Sequence, residues 1–229
     1  MRSQTKIILN YFYCFLYKTK YYKHSFKHSF FFLSWLKIQK NNLTTINNSR
    51  LEKTQLSITG KHNFVSITNA SLNNAVIKIN GTNNKIVLEN GVRFTGEINI
   101  RGTNCLVKIG KESTFGGARI INVGMNNIVT IGDNCLFSDQ IEIWASDTHS
   151  IYNENNTLIN PEKPIIIGNH VWVGSRVIIL KGVTLGDDSI IGMGALVTKN
   201  VESKSIHVGS PNHQLKNNIK WSLDYKTEE

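Results

Sequence analysis

Beyond residue 60 the apolar positions return on a fixed step. Gly60, Gly81, Gly102 and Gly124 stand 21, 21 and 22 residues apart, each followed within three residues by an asparagine: Asn63, Asn83, Asn104 and Asn126. Val65, Ile86, Val107 and Val129 come five residues after the glycines, and Ile67, Leu88, Ile109 and Ile131 seven after; Phe94, Phe115 and Phe137 come thirteen after the last three. Apolar residues two apart predict short strands of period two, and the Gly and Asn between them supply turn positions with positive φ. Each repeat therefore reads as one coil of strands and turns.

From Ile131 the step tightens to six. Ile131, Ile167, Val173, Ile179, Leu185, Ile191 and Val197 share one phase of six, and glycine directly follows Ile131, Ile167, Val173, Leu185 and Ile191. These runs are too short and too β-branched for helix. They predict a solenoid in which each six-residue unit is one flat face and stacked coils bury a continuous core. A flat strand bilayer would not need the strict six.

The first 40 residues lack this punctuation. From Arg2 to Lys40 the chain mixes Lys with Phe, Tyr and Trp, as in KTKYYKHSFKHSFFFLSWLK. Two readings stand side by side: a basic aromatic patch on an anionic membrane surface, and a helix packing its aromatics on the domain end or on a second subunit. The Asn- and Thr-rich run Asn41 to Ser49 reads as a linker. The apolar stretch Ile7 to Tyr17 falls short of the roughly 18–20 residues of a membrane span, and no small-residue cleavage site follows it.

Charge changes the picture once it is located. The net charge is +10, but residues 1–51 hold seven Lys, two Arg and no acid, so they carry +9; residues 52–229 have 17 bases against 16 acids, or +1. The body lacks the basic face of a DNA binder, so nucleic acid is excluded as a partner. Three cysteines, Cys14, Cys105 and Cys135, with no CxxC spacing indicate neither a disulfide framework nor a zinc knuckle. A reducing, cytoplasmic setting is expected, with contact at the inner membrane face through residues 1–40 as an added expectation.

IGDN, SDTH, GNHVWVGS, VTLGDDSIIGMGALVTKNV and VGSP follow one another between Ile131 and Lys216. In that order they resemble the hexapeptide-repeat acyltransferases, and most of all the sugar and capsular polysaccharide O-acetyltransferases, including those acting on sialic acid. The resemblance covers about residues 75 to 216. It implies an all-β fold, a left-handed parallel β-helix, and the left hand comes from the resemblance alone, since crossovers generally prefer the right. The expected organisation is a basic, aromatic, helical N-terminal extension and linker (1–50), a β-helix acyltransferase domain (51–208) and a C-terminal tail (209–229). A homotrimer is expected as well.

Acyl transfer from a thioester to a hydroxyl needs a base, an oxyanion donor and a slot for coenzyme A. Trp144 to Pro164 is the one long departure from strand punctuation, so it reads as a loop leaving a rigid scaffold, where catalytic groups collect. His149 on it is the candidate general base, and Asp147 the candidate to orient its ring; a solvated surface role is the plain alternative for both. The resemblance makes Trp172 a lining residue of the acetyl-CoA and acceptor site, against a core or subunit-contact role. For acetyl-CoA it points to Gly174, Ser175, Gly192, Met193, Gly194, Thr198 and Lys199, then to Ser210, Pro211, His213 and Lys216. The last segment matches the family's G-[NSV]-P-[AC]-[KR], with His213 where Lys or Arg is usual. The acceptor is expected to be a carbohydrate, and no metal is expected. Two rivals remain: a zinc carbonic anhydrase of the same fold, for which His149 and His170 are available but no histidine pair lies five apart, and a structural trimer with a decayed site.

Overall fold

The computed structural model describes residues 5–9, 12–14 and 24–224. Its strands stack into a triangular prism of parallel sheets. Face I is an eight-stranded sheet running from His24–Ser25 through Leu43–Asn47 to Thr184–Leu185. Face II runs from Ser29–Phe32 to Ile206–Val208 and face III from Ser34–Ile38 to Leu196–Val197, each strand pairing in parallel with the strand one coil away. The prism has about 8 turns.

The phase of six walks around these faces. Ile131, Phe137 and Ile143 point inward from faces I, II and III, and Ile167, Val173 and Ile179 lie above them in register. All six are buried. On face II, Phe94, Phe115 and Phe137 form a column, with centroids 5.2 and 4.3 Å apart and the upper pair stacked at 11°. Such pairs add about 0.5–1.5 kcal/mol each beyond burial.

The 21-residue step holds two asparagine columns rather than one. At the corner between faces III and I, Asn42, Asn63 and Asn84 are buried; the Oδ1 of Asn42 and of Asn63 accepts the main-chain and side-chain N–H groups of the next asparagine, and the Oδ1 of Asn84 accepts the Cys105 N–H, all at 2.9 Å. Each Nδ2 donates to a repeat glycine carbonyl, Gly60, Gly81 and Gly102 in turn, at 2.8–3.1 Å. Asn83, Asn104 and Asn126 form a second, exposed column at positive φ, with His62 in the matching position. Asn63 therefore belongs to the buried column, not with the other three. Glycine is required beside it, since a Cβ on Gly81 would strike the Gly102 carbonyl and its φ is +144°.

The described part of the N-terminal extension is not helical. Among the described residues of 1–50 every regular element is a strand: Thr5–Leu9 and Phe12–Cys14 pair antiparallel with Ser34–Ile38 and Ser29–Phe32, which themselves sit below the second coil. The expected linker, Asn41 to Ser49, holds the strand Leu43–Asn47 with Ile46 fully buried. The cause is a period-two pattern hidden by serine: Ser29, Phe31, Ser34, Leu36 and Ile38 all point inward, and the serine hydroxyls donate to the Ile46 and Leu51 carbonyls at 3.0 Å. The remaining residues of the basic aromatic run, most of 1–23, lie outside the described residues. Among the described residues no helix is long and apolar enough to cross a membrane.

Truncating the middle ring of the aromatic column tests this packing. Phe115→Ala should cost roughly 3–5 kcal/mol of stability by urea unfolding. Lys108→Ala, on the exposed side of the same coil, should stay within about 0.5 kcal/mol.

Candidate functional site

Among the described residues one long segment leaves the prism between strands. After Ile141–Trp144 on face III the chain does not resume until Ile165–Ile167 on face I, so the intervening loop springs from the III–I edge. Its base is tightly bound. The His149 N–H bonds to the Asp147 carbonyl at 2.8 Å across Thr148, whose φ of +64° is sparsely populated for a β-branched residue. Asn160 from the far side of the loop donates to the His149 carbonyl (2.8 Å) and to Asp147 Oδ2 (2.9 Å). Lys181, half-hidden at the next corner, donates to Asp147 Oδ2 (2.7 Å) and to the carbonyls of Asn160 and Pro161 (2.8 and 3.0 Å).

Asp147 therefore anchors the loop. Its carboxylate is held by Lys181 and Asn160, while the exposed His149 ring makes no hydrogen bond among the described residues. The Lys181 hydrogen bond holds the Asp147 carboxyl below the usual carboxylate range; Asn160 and the lysine charge act in the same direction, and slight desolvation opposes them. Neither described cysteine side chain is a ready nucleophile: burial raises Cys105, and pushes Cys135 to about 11.

The residues expected at coenzyme A gather along another edge. Gly174 and Ser175, Gly192 to Gly194, and Ser210 with Pro211 follow successive face II strands, so they stack up the II–III edge of the last coils. Gly194 N–H bonds to the Ser175 carbonyl (2.9 Å), and Leu196 N–H to the Gly209 carbonyl (3.0 Å). Met193 is exposed, with its sulfur 3.3 Å from an Arg176 nitrogen. Thr198 and Lys199 lie one face further round, tied back through Asn212. His213 and Lys216 end the returning strand His213–Lys216, antiparallel to Ile206–Val208.

Trp172 points outward from face II, 39% exposed, and meets a partner that the sequence did not suggest. Trp221 of the tail tilts against it at 5.9 Å, stacks flat on His170 at 3.9 Å and 3°, and donates Nε1–H to the His170 carbonyl at 3.0 Å. His170 Nδ1 lies 2.9 Å from Asp188. Face II is opposite the III–I edge in a triangular prism, so His149 and Trp172 stand on opposite sides of one chain. Among the described residues no group of three or more His, Cys, Asp or Glu side chains converges as a metal site would.

The residues missed in the sequence are Asp139, Asn160, Lys181, Asn212 and Trp221. Asp139 accepts the Ser175 hydroxyl from 36 residues earlier, six whole units; that spacing, shared by Ile131 and Ile167, was available as a signal. For Asn160 and Trp221 no periodic signal exists.

The chain matches the family described as hexapeptide repeat of succinyl-transferase over residues 164–199. It is 36% identical over 124 residues to a polysialic acid O-acetyltransferase of Escherichia coli O1:K1, covering 53% of this chain and 40% of that protein. It is 42% identical over 86 residues to the galactoside O-acetyltransferase of Escherichia coli K12, covering 36% and 41%. The chain thus spans about two fifths of the length of these curated relatives. In structure it is similar to the polysialic-acid-specific acetyltransferase NeuO, with TM-score 0.67, 27% identity and coverage of 90% and 88% of the two chains. The polysialic acid O-acetyltransferase OatWY gives 0.61, 26%, 90% and 90%.

Loop anchorage should depend on pH with a defined sign. Because the folded-state pKa of Asp147 is depressed, its contribution is full above the ordinary carboxylate value of about 3.9 and is lost as pH falls through the lowered folded value. Amide exchange at Thr148, His149 and Ile151, corrected for intrinsic rates, should accelerate across that range. Lys181→Met should accelerate it at neutral pH and remove the step.

With its repeat, its prism and these relatives, the chain carries a hexapeptide repeat over residues 164–199 and is similar in sequence and fold to left-handed β-helix acetyltransferases.

Proposed function

We propose that the protein is an acetyl-CoA-dependent O-acetyltransferase that esterifies a carbohydrate hydroxyl, on a surface or capsular polysaccharide or its sialic acid. The observation that carries this reading is the His149 loop: the one long excursion between strands of the prism among the described residues, pinned at its base by Asp147, Asn160 and Lys181 and holding an unusual backbone turn immediately before the histidine. Unusual backbone conformations of this kind persist where surrounding contacts over-determine them, and they cluster at functional sites. The names of the relatives support the carbohydrate acceptor.

In this mechanism the neutral His149 imidazole removes the acceptor hydroxyl proton as its oxygen attacks the thioester carbonyl. Collapse of the tetrahedral adduct breaks the carbon–sulfur bond, and the imidazolium returns the proton to the departing thiolate. No covalent enzyme intermediate is required. Acetyl-CoA lies along the glycine corners of Gly174, Gly192 and Gly194, where the main chain is open to close approach, and Lys199 meets a phosphate. Since His149 and Trp172 stand on opposite sides of one chain, a shared site takes His149 from one copy and the coenzyme A edge and Trp172 from the next, in a homotrimer. The protein works in the cytoplasm, and residues 1–40 touch the inner membrane face.

His149→Ala should lower kcat by about 10²–10⁴, roughly 3–5 kcal/mol of transition-state stabilisation, with coenzyme A affinity within a few-fold of wild type. Retention of more than about half of kcat on the true acceptor would remove the assignment. Trp172→Ala should raise KM as well as lower kcat. Light scattering that finds monomer alone at working concentration would remove the shared site.

A further inference from the structure

At the end of the prism the pieces of chain assigned to coenzyme A share two main-chain bonds, Leu196 N–H to the Gly209 carbonyl (3.0 Å) and Asn212 N–H to the Leu196 carbonyl (2.8 Å), and beyond these Thr198 and Lys199 are held by one buried side chain. Asn212 Oδ1 accepts the main-chain N–H groups of Thr198 (2.9 Å) and Lys199 (3.2 Å), while Nδ2 donates to the Lys199 carbonyl at 3.3 Å and lies 3.3 Å from His207 Nδ1. Asn212 and His207 are each 5% exposed. An amide offers two donor hydrogens and two acceptor lone pairs, and all four are used here. The amide therefore has one orientation: its oxygen faces only N–H groups, and its nitrogen faces a carbonyl and a ring nitrogen.

That orientation sets the state of His207. Opposite an N–H donor, Nδ1 must be a bare acceptor, so the ring proton sits on Nε2, which lies 3.0 Å from Glu202 Oε2. Glu202 is the one charged group bonded to the ring among the described residues; the strand Ile190–Ile191 sets Ile191 in register with His207, and the returning strand sets Gln214 there. A second proton would go to Nδ1 and turn its hydrogen toward the amide hydrogens inside a closed space, where two facing donors are costly. Rotating the amide relieves that conflict only by presenting Nδ2 to the N–H groups of Thr198 and Lys199, which breaks both of those bonds and loosens the two residues beyond the main-chain pairing at Leu196.

We infer that Asn212 is a positioning residue for coenzyme A, holding Thr198 and Lys199 against the Ser210–His213 segment, and that it does so only while the His207 ring is neutral. The inference rests on the proposed coenzyme A role of Thr198 and Lys199. Acid weakens acetyl-CoA binding through this pair, separately from any need for a neutral base on the loop.

Calorimetric titration of the full chain with acetyl-CoA at about pH 8 and about pH 5.5 tests it. Wild type should lose about tenfold in affinity at the lower pH, the scale of one or two buried hydrogen bonds. His207→Phe should lose that component and report whatever pH dependence belongs to the ligand. Asn212→Asp keeps an acceptor for Thr198 and Lys199 but sets a carboxylate oxygen against Nδ1, which favours the doubly protonated ring. Its pH dependence, relative to His207→Phe, should therefore run opposite to wild type. Asn212→Ala should raise KM for acetyl-CoA about tenfold at pH 8 and leave KM for the acceptor unchanged. If Asn212→Ala does not fold, the Asn212→Asp comparison decides alone. Parallel pH profiles for wild type and Asn212→Asp, with coenzyme A bound by both, would overturn the inference while leaving the proposed function standing. A wild-type protein that binds no acetyl-CoA at either pH would overturn both.

Discussion

Every strand of the prism must lie in register on the strand one coil away, and the corners, the core and the ends all follow from that pairing. Leu72, Phe94, Phe115, Phe137, Val173, Ile191 and His207 form one inward column because their strands pair residue for residue. Coils spaced roughly 4.8 Å apart leave no room for a wide turn, so the chain bends through left-handed residues. At one edge these are Asn48, Asn69, Gly91, Glu112, Asn134, His170 and Asp188. Only one of these is glycine. The others carry the strain because each corner N–H bonds to a carbonyl of a neighbouring coil, as Asn69 does to Asn47 and His170 to Asp133. Stacking also leaves an unpaired edge at each end, a liability for sheet proteins. Here antiparallel strands cover part of each end: Thr5–Leu9 on Ser34–Ile38 and Phe12–Cys14 on Ser29–Phe32, and His213–Lys216 on Ile206–Val208.

The core was legible in the sequence wherever the inward residue is apolar, because burial on one side of a fixed-length face forces a strict period. It ceased to be legible where polar residues take the inward place. Ser29 and Ser34 fill corners and satisfy their hydroxyls on main-chain carbonyls, so the run around Phe31 and Leu36 looks like an irregular aromatic patch and suggests a helix. The asparagine repeat misled in a smaller way: Asn63 and Asn83 differ by one position in register, and that position decides between a buried ladder and an exposed one. At the site, His149 stood out because its loop breaks the period. Its anchors did not, since Asn160 and Lys181 reach Asp147 only through the path of the loop, and no spacing encodes that path.

The same rigidity limits what one chain can do. A loop hinged at the III–I edge and pinned to Lys181 starts on the side of the prism away from face II, and a core of interlocked columns cannot twist to bring Trp172 round to it. The tail adds a further constraint, because Trp221 occupies part of the surface beside Trp172 and is itself fixed on His170. Under the proposed chemistry, the proton acceptor and the thioester must therefore meet across a boundary between copies, with each prism acting as a straight edge that holds its half at a set height. Precision then rests on small polar clasps rather than on the core. The core fixes the height of each coil, but Asp147 with Lys181 fixes the loop, and Asn212 with His207 fixes the last turn against which coenzyme A would lie. A solenoid built from one repeated apolar rule thus leaves its specificity to the few places where a side chain breaks that rule and finds a polar partner.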